Sequence, residues 1–264
     1  MRMAWVLSFA SSLFLFAPQL HSQQTATTIQ RDPQALTLAK LSVQALTSSQ
    51  SLTDATLQGT ANFTTGSAEE SGSFLLELKG NQESKLVLNL TGGIRQEIRQ
   101  LQAGAWVGPD GQKHASALHN SWTDASTLLP VFSLAAALSN SQIATIYLGQ
   151  TTINGVTADH LQLSKVASGQ DPRMATQIQQ LSTMDIYLNP ASHLPLVIAF
   201  NTHPDDNLRR GFPVEIQFSS YQQFGGIQVP TRIQKFLQGT LTLDLAVKSI
   251  ATNTGIADSE FSTQ

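Results

Sequence analysis

The feature that most constrains the fold is a long stretch, Met184 to Phe261, in which apolar and polar residues alternate with a period of two. Such alternation is typical of β-strands that bury one side and expose the other. The apolar positions of its successive segments are Met184, Ile186 and Leu188; Leu194, Leu196, Ile198 and Phe200; Val214, Ile216 and Phe218; and Leu241, Leu243, Leu245 and Val247. The pattern predicts an antiparallel meander, whose apolar face has to close on itself or keep a groove.

The first 22 residues have the features of a secretory signal peptide. Arg2 precedes an apolar run from Met3 to Phe16, and cleavage is predicted after Ser22. This run is shorter than the roughly 20 residues that span a bilayer, so a membrane anchor is the less favoured alternative. We therefore expect an exported protein, periplasmic or alternatively secreted, whose mature chain begins with a flexible segment at 23–31.

The composition excludes several classes of function. The chain contains no cysteine, which rules out disulfides, thiolate metal sites and a cysteine nucleophile. Its formal net charge of −3 does not suit a nucleic-acid binder. The histidines lack a spacing that predicts converging metal ligands, and neither a Gly-x-Ser-x-Gly elbow nor a phosphate-binding glycine loop is present. The sequence predicts a monomeric protein that is not an enzyme and has no cofactor or metal.

Helices and a further set of strands precede the meander. Helical spacing after Asp32 and Pro33 predicts a first helix, and apolar residues within 121–140 predict a second one, kinked or begun at Pro130. A short third helix is predicted near Ile178. Alternation predicts early strands at 56–63, 73–79, 84–90, 93–101 and 105–107. We expect one domain, 32–264, in which the central helix covers the sheet.

Three segments resemble a known family. Met184-Asp185-Ile186-Tyr187-Leu188-Asn189 followed by Leu194-Pro195-Leu196 is similar to a strand, turn and "LP" return in the LolA/LolB superfamily of periplasmic lipoprotein carriers. The segment from Tyr221 to Pro230 resembles the family's glycine-containing hairpin, and the ending from Asn253 to Phe261 resembles its closing strand. The order of elements is also similar over most of the mature chain.

The resemblance implies a mostly β (α+β) fold: a single curved antiparallel sheet forming an open half-barrel, lidded by the N-terminal helix and the inserted central helix. It also implies a hydrophobic cavity that accepts acyl chains. Arg95 and Arg99 are the candidates for the arginine that gates this cavity in the carriers.

Apolar residues of the predicted sheet and central helix are the candidate ligand-binding residues, although for any single one of them a place in the core is the favoured interpretation. They are Phe74, Leu76, Leu86, Leu88, Trp106, Phe132, Ile186, Ile198 and Phe218. The favoured hypothesis is a carrier of a lipid or acylated protein, which opens when the helix around 128–138 swings aside. The alternative is a non-enzymatic envelope scaffold or sensor module that binds a protein partner, for example through the loop 204–212.

Overall fold

The computed structural model describes residues 29–263; the predicted signal peptide, 1–22, and most of the predicted flexible segment lie outside the described residues. Within this range, thirteen antiparallel strands form one sheet with the order β6-β5-β4-β3-β2-β1-β13-β12-β11-β10-β9-β8-β7. The strands are β1 (Asp54–Thr65), β2 (Ala68–Lys79), β3 (Glu83–Leu90), β4 (Gly93–Gln100), β5 (Ala103–Val107), β6 (Lys113–Ala115), β7 (Ile143–Ile153), β8 (Val156–Lys165), β9 (Met184–Leu188), β10 (Pro195–Thr202), β11 (Phe212–Phe224), β12 (Ile227–Leu237) and β13 (Thr240–Thr252). β6 and β7 lie at the two ends of this strand order and do not pair with each other, so the sheet is not closed and the predicted fold class is confirmed.

In the part of the chain that the structure describes, three α-helices accompany the sheet: α1 (Pro33–Thr47), α2 (Val131–Ser139) and α3 (Pro172–Ser182). Helix α1 begins as predicted, because the Asp32 carboxylate accepts hydrogen bonds from the backbone amides of Gln34 and Ala35. Helix α3 uses the same local signal, with Asp171 as N-cap followed by proline. Both starts are encoded by adjacent residues, although only that of α1 was predicted from the sequence.

Helix α2 is shorter than the predicted helix 121–140. It starts after Pro130, which agrees with the predicted alternative of a helix begun at this proline, and the residues before it form a crossing segment, 118–130, which comprises a 3₁₀ helix (Leu118–Ser121) and a loop. The Ala125 amide donates to the Asn81 carbonyl at 2.9 Å, and the Lys165 ammonium donates to the Trp122 carbonyl at 2.7 Å. These bonds, to the turn between β2 and β3 and to the end of β8, replace the hydrogen bonds of a local helix, an outcome that helix propensity alone does not reveal.

The sheet is strongly curved. In the strand order, β3, β2, β1 and β13 lie between β4 and β12, and a flat sheet would separate these two strands by about 24 Å. Nevertheless, the Lys235 Nζ on β12 lies 3.9 Å from the Glu97 Oε2 on β4. Even allowing for the length of two side chains, the sheet must curl to bring these strands to face each other across its concave side.

Helices α1 and α2 pack together and are part of the main core. Leu46 of α1 and Leu134 of α2 are fully buried within one hydrophobic cluster that also contains the inward-facing strand residues. The Arg31 guanidinium donates to the carbonyls of Ala137, Leu138, Asn140 and Ile143 at 2.7–3.3 Å, at and beyond the end of α2. The last residue of the predicted flexible segment is thus anchored to α2.

Ser133 on α2 provides a test of this packing. Its side chain is fully buried, and its hydroxyl has no hydrogen-bond partner among the described residues. Because an unsatisfied buried hydroxyl costs stability and alanine favours the helix, Ser133→Ala is expected to raise the free energy of unfolding by about 1 kcal/mol. Urea denaturation of the mature protein measures the change, and a clear loss of stability would show that the hydroxyl has a partner after all.

Candidate functional site

Two cross-strand rows of side chains face each other on the concave side. The first row joins Leu86, Glu97 and Trp106 on β3, β4 and β5, which are direct partners in the strand register. The second row joins Lys235 on β12, Leu243 on β13 and Phe63 on β1. Because side chains directly opposite on one face of a sheet lie about 5 Å apart, each row is a continuous strip of wall.

A cavity lies between the two rows and has two main parts. The larger part, about 560 Å³, is lined by residues 63–66 and 200–202 together with Glu97, Arg99, Gly104, Trp106, Ser116, Asn120, Ser121, Thr123, Asp205, Val214, Lys235, Leu237 and Thr242. The smaller part, about 280 Å³, is lined by Phe63, Leu86, Leu88, Arg95, Gln96, Glu97, Trp106, Val107, Gly108, Lys235, Thr242 and Leu243. Both sizes fall at or close to the range of small-molecule sites, about 300–1,000 Å³.

Charged groups lie at the centre of this cavity. The positive charges of Lys235 and Arg99 lower the pKa of Glu97 below its ordinary value, Lys235 most strongly, although burial opposes the shift. Glu97 is therefore a carboxylate at neutral pH, held inside a largely apolar wall. Its side chain is 43% exposed, and the residues around it show that this exposed part faces the cavity.

Arg99 has a structural task at one side of the cavity. Its Nη2 donates to the Asn120 carbonyl at 3.1 Å and to the Thr123 Oγ1 at 2.6 Å, both in the crossing segment. The Asn120 side chain in turn donates to the His203 carbonyl at 2.7 Å and accepts from the His203 amide at 2.8 Å. Arg99 and Asn120 therefore tie β4 and the loop after β10 to the crossing segment, which spans the concave side.

Arg95 is also engaged. Its guanidinium donates to the Glu70 carboxylate at 2.7 and 3.3 Å and stacks over the Phe63 ring at 4.8 Å. In the structure, then, both candidate gating arginines hold neighbouring elements together. Arg95 lines the smaller part of the cavity and Arg99 the larger part.

The candidate ligand-binding residues divide into two groups. Leu86, Leu88 and Trp106 line the cavity, and Leu76 lines a narrow extension of about 20 Å³ next to it. The remaining residues are buried in or against the core and do not line these spaces: Phe74, Phe132, Ile186, Ile198 and Phe218. The structure adds wall residues that sequence reasoning missed, chiefly Phe63, Glu97, Lys235 and Leu243.

One signal could have identified Glu97. The predicted strand 93–101 alternates Arg95, Glu97 and Arg99 with Ile94 and Ile98, and its charged side pairs with the apolar side of β3. When the charged residues of one strand pair with the buried apolar residues of its neighbour, both sets point to the same face of the sheet, so the charges are predicted to lie on the concave side. Lys235 carried no comparable signal, because it faces Glu97 only through the curvature of the whole sheet.

Two further properties concern residues 29–263. Over this range, no group of three or more histidine, cysteine, aspartate or glutamate side chains is placed to hold a metal ion. None of the helices in the same range has both the length and the apolar character needed to cross a bilayer.

Several solved structures have a fold similar to that of this chain. A LolA superfamily protein from Nitrosomonas europaea matches with a TM-score of 0.51 at 13% identity, over 86% of this chain and 97% of that one. A domain from Vibrio parahaemolyticus, assigned to the outer membrane lipoprotein-sorting proteins, matches with a TM-score of 0.51 at 11% identity, over 86% and 95%. The chain has a LolA-like fold.

The LolA-like fold extends to a DUF1329 family protein from Desulfovibrio piger, with a TM-score of 0.54 at 14% identity over 88% of this chain and 98% of that one. No protein-family profile matches the sequence, and no curated protein is significantly similar to it. The resemblance predicted from the sequence is confirmed at the level of the fold, and the cavity of this chain has to be interpreted from its own residues.

Proposed function

We propose that the protein is a periplasmic carrier that holds a lipid or an acylated ligand in the cavity between β4 and β12. The main support is the smaller part of the cavity, whose wall is formed largely by Phe63, Leu86, Leu88, Trp106 and Leu243. Burial of an acyl chain contributes about 0.8 kcal/mol per CH₂ group, so such a wall can hold a chain without specific polar contacts. The LolA-like fold and the predicted signal peptide support export and a carrier role.

Trp106 provides a direct probe of this proposal. It is one of three tryptophans in the sequence, and Trp5 lies in the predicted signal peptide, so the mature chain keeps only Trp106 and Trp122. Trp106 lines both parts of the cavity, whereas Trp122 lies in the crossing segment and lines neither. The Trp122→Phe variant therefore reports on the cavity alone, and Trp106→Phe is its matched control.

The test is a fluorescence titration of delipidated mature protein with a fatty acid that carries bromine on its chain. Because bromine quenches tryptophan only at short range, we expect saturable quenching in Trp122→Phe and little quenching in Trp106→Phe. Native mass spectrometry of the same samples should show one bound ligand per chain. Absence of quenching in both variants, with only empty protein in the spectra, would refute the carrier and favour a scaffold.

A further inference from the structure

The two parts of the cavity differ in chemistry, and Glu97 and Lys235 lie where they meet. The smaller part is bounded mainly by apolar side chains, whereas the larger part presents hydroxyl and amide groups such as those of Thr64, Asn201 and Thr202. Glu97 and Lys235 line both parts. An amphiphile with its chain in the apolar part would therefore place its polar end beside this pair of charges.

Both charges have unused hydrogen-bonding capacity. In the part of the chain that the structure describes, no hydrogen bond involves the Glu97 carboxylate or the Lys235 ammonium, and their separation of 3.9 Å is too long for one. The Lys235 side chain is 32% exposed, and it lines the cavity. The neighbouring guanidinium groups of Arg95 and Arg99, in contrast, already donate to protein oxygens.

We propose, building on the carrier function above, that the ligand is an amphiphile with a zwitterionic headgroup that carries an acidic group and a primary ammonium. The acidic group binds Lys235 and the ammonium binds Glu97. A headgroup with an acid alone would be repelled by the Glu97 carboxylate. A headgroup with an ammonium alone would be repelled by the positive charges of Lys235 and Arg99. A headgroup with both charges is complementary to the pair and fills the hydrogen-bonding capacity of each side chain.

The test compares two single-chain phospholipids with the same acyl chain. Lysophosphatidylethanolamine carries a phosphate and a primary ammonium, whereas lysophosphatidylglycerol carries the phosphate without the ammonium. A charge-assisted hydrogen bond contributes about 1.5 kcal/mol, so the unmodified mature protein should bind the ethanolamine lipid about tenfold more tightly. Isothermal titration calorimetry measures both dissociation constants.

Two variants assign the two contacts. Glu97→Gln should abolish the preference for the ethanolamine lipid. The substitution removes the carboxylate that binds the lipid ammonium, and it also removes the repulsion between that carboxylate and the lipid phosphate. Lys235→Gln should weaken the binding of both lipids about tenfold, since both carry the phosphate. Arg232→Gln is the matched control: Arg232 also lies on β12 but is exposed and paired with Asp244, and its loss should change neither affinity.

The outcomes separate this proposal from the carrier function. Equal affinities for the two lipids in the unmodified protein, or equal effects of Glu97→Gln on the two affinities, would overturn the headgroup assignment. The carrier function would then stand without a preference for a zwitterionic headgroup. A preference for the glycerol lipid would overturn it as well. Binding of neither lipid, together with no quenching of Trp106 by the brominated fatty acid, would overturn both proposals.

Discussion

Leu134→Ala is expected to lower the free energy of unfolding by about 3–4 kcal/mol. Leu134 lies in α2, is fully buried and belongs to the main hydrophobic cluster. Truncation removes apolar contacts and leaves a hole that the surrounding side chains fill only in part, which is why buried leucines are costly to shorten. Urea denaturation followed by circular dichroism measures the loss at equilibrium.

Leu208→Ala is the matched control for this prediction. Leu208 lies in the loop after β10 and is 40% exposed, so the same truncation should change stability by less than about 0.5 kcal/mol. A loss below about 1 kcal/mol at Leu134 would contradict tight packing of α2 and would be consistent with a helix that moves readily.

The burial of Leu134 bears on how a ligand reaches the cavity. If α2 swung aside, it would expose Val131, Phe132 and Leu134, at a cost of about 1.5–3 kcal/mol for each side chain. It would also break the hydrogen bonds from Arg31 to the end of the helix. The structure therefore argues against the lid motion that the sequence suggested for the helix around 128–138.

The edge of the sheet beside Trp106 is open by comparison. Trp106 lies on β5, next to the edge strand β6, and remains 46% exposed although it lines the cavity. Its ring stacks on His114 of β6 at 4.1 Å. Under the carrier function proposed above, entry past this edge would cost little apolar burial, because the residues of β6 are exposed.

The sequence predicts those features of the fold that depend on neighbouring residues. The period-two stretches give the strands, and Asp32 with Pro33 gives the start of α1, because each signal lies within a few residues of what it specifies. The end of the chain differs from its expectation: the segment from Asn253 to Phe261, which resembles the family's closing strand in sequence, forms a loop and a 3₁₀ helix (Asp258–Phe261) after β13. Phe261 itself is fully buried.

The features that the sequence did not predict depend on distant contacts. Glu97 and Lys235 are brought together by the curl of the strands between them, and no local pattern contains that information. The crossing segment is similar, because its hydrogen bonds to Asn81 and Lys165 replace a helix that the local apolar pattern favoured. The pairing of Glu97 with Lys235 therefore required the structure, whereas the sheet and the wall residues Leu86, Leu88 and Trp106 were predicted from the sequence.

A second large effect is expected at Asp54, the first residue of β1. Its carboxylate is buried and accepts hydrogen bonds from the Thr254 amide at 2.7 Å, the Gly255 amide at 3.1 Å and the hydroxyls of Thr254 and Thr53 at 3.0 Å. It thus holds the segment after β13 against the start of β1. Asp54→Ala leaves these donors without their acceptor and should lower the free energy of unfolding at pH 7 by about 3 kcal/mol. Asp206→Ala, in the exposed loop after β10, is the control and should have almost no effect.

The effect of Asp54→Ala should also depend on pH. Burial alone would raise the pKa of Asp54, but the hydrogen bonds from Thr254, Gly255 and Thr53 outweigh it and lower the pKa below its ordinary value. Since the pKa is lower in the folded protein than in the unfolded chain, the carboxylate contributes its full stability above about pH 4 and loses it as the pH falls through the folded-state pKa. The stability difference between the unmodified protein and Asp54→Ala should therefore be greatest near neutral pH and narrow in acid. Urea denaturation at a series of pH values measures it, and a difference that stays constant down to about pH 2.5 would mean that Asp54 stabilises the fold without its charge.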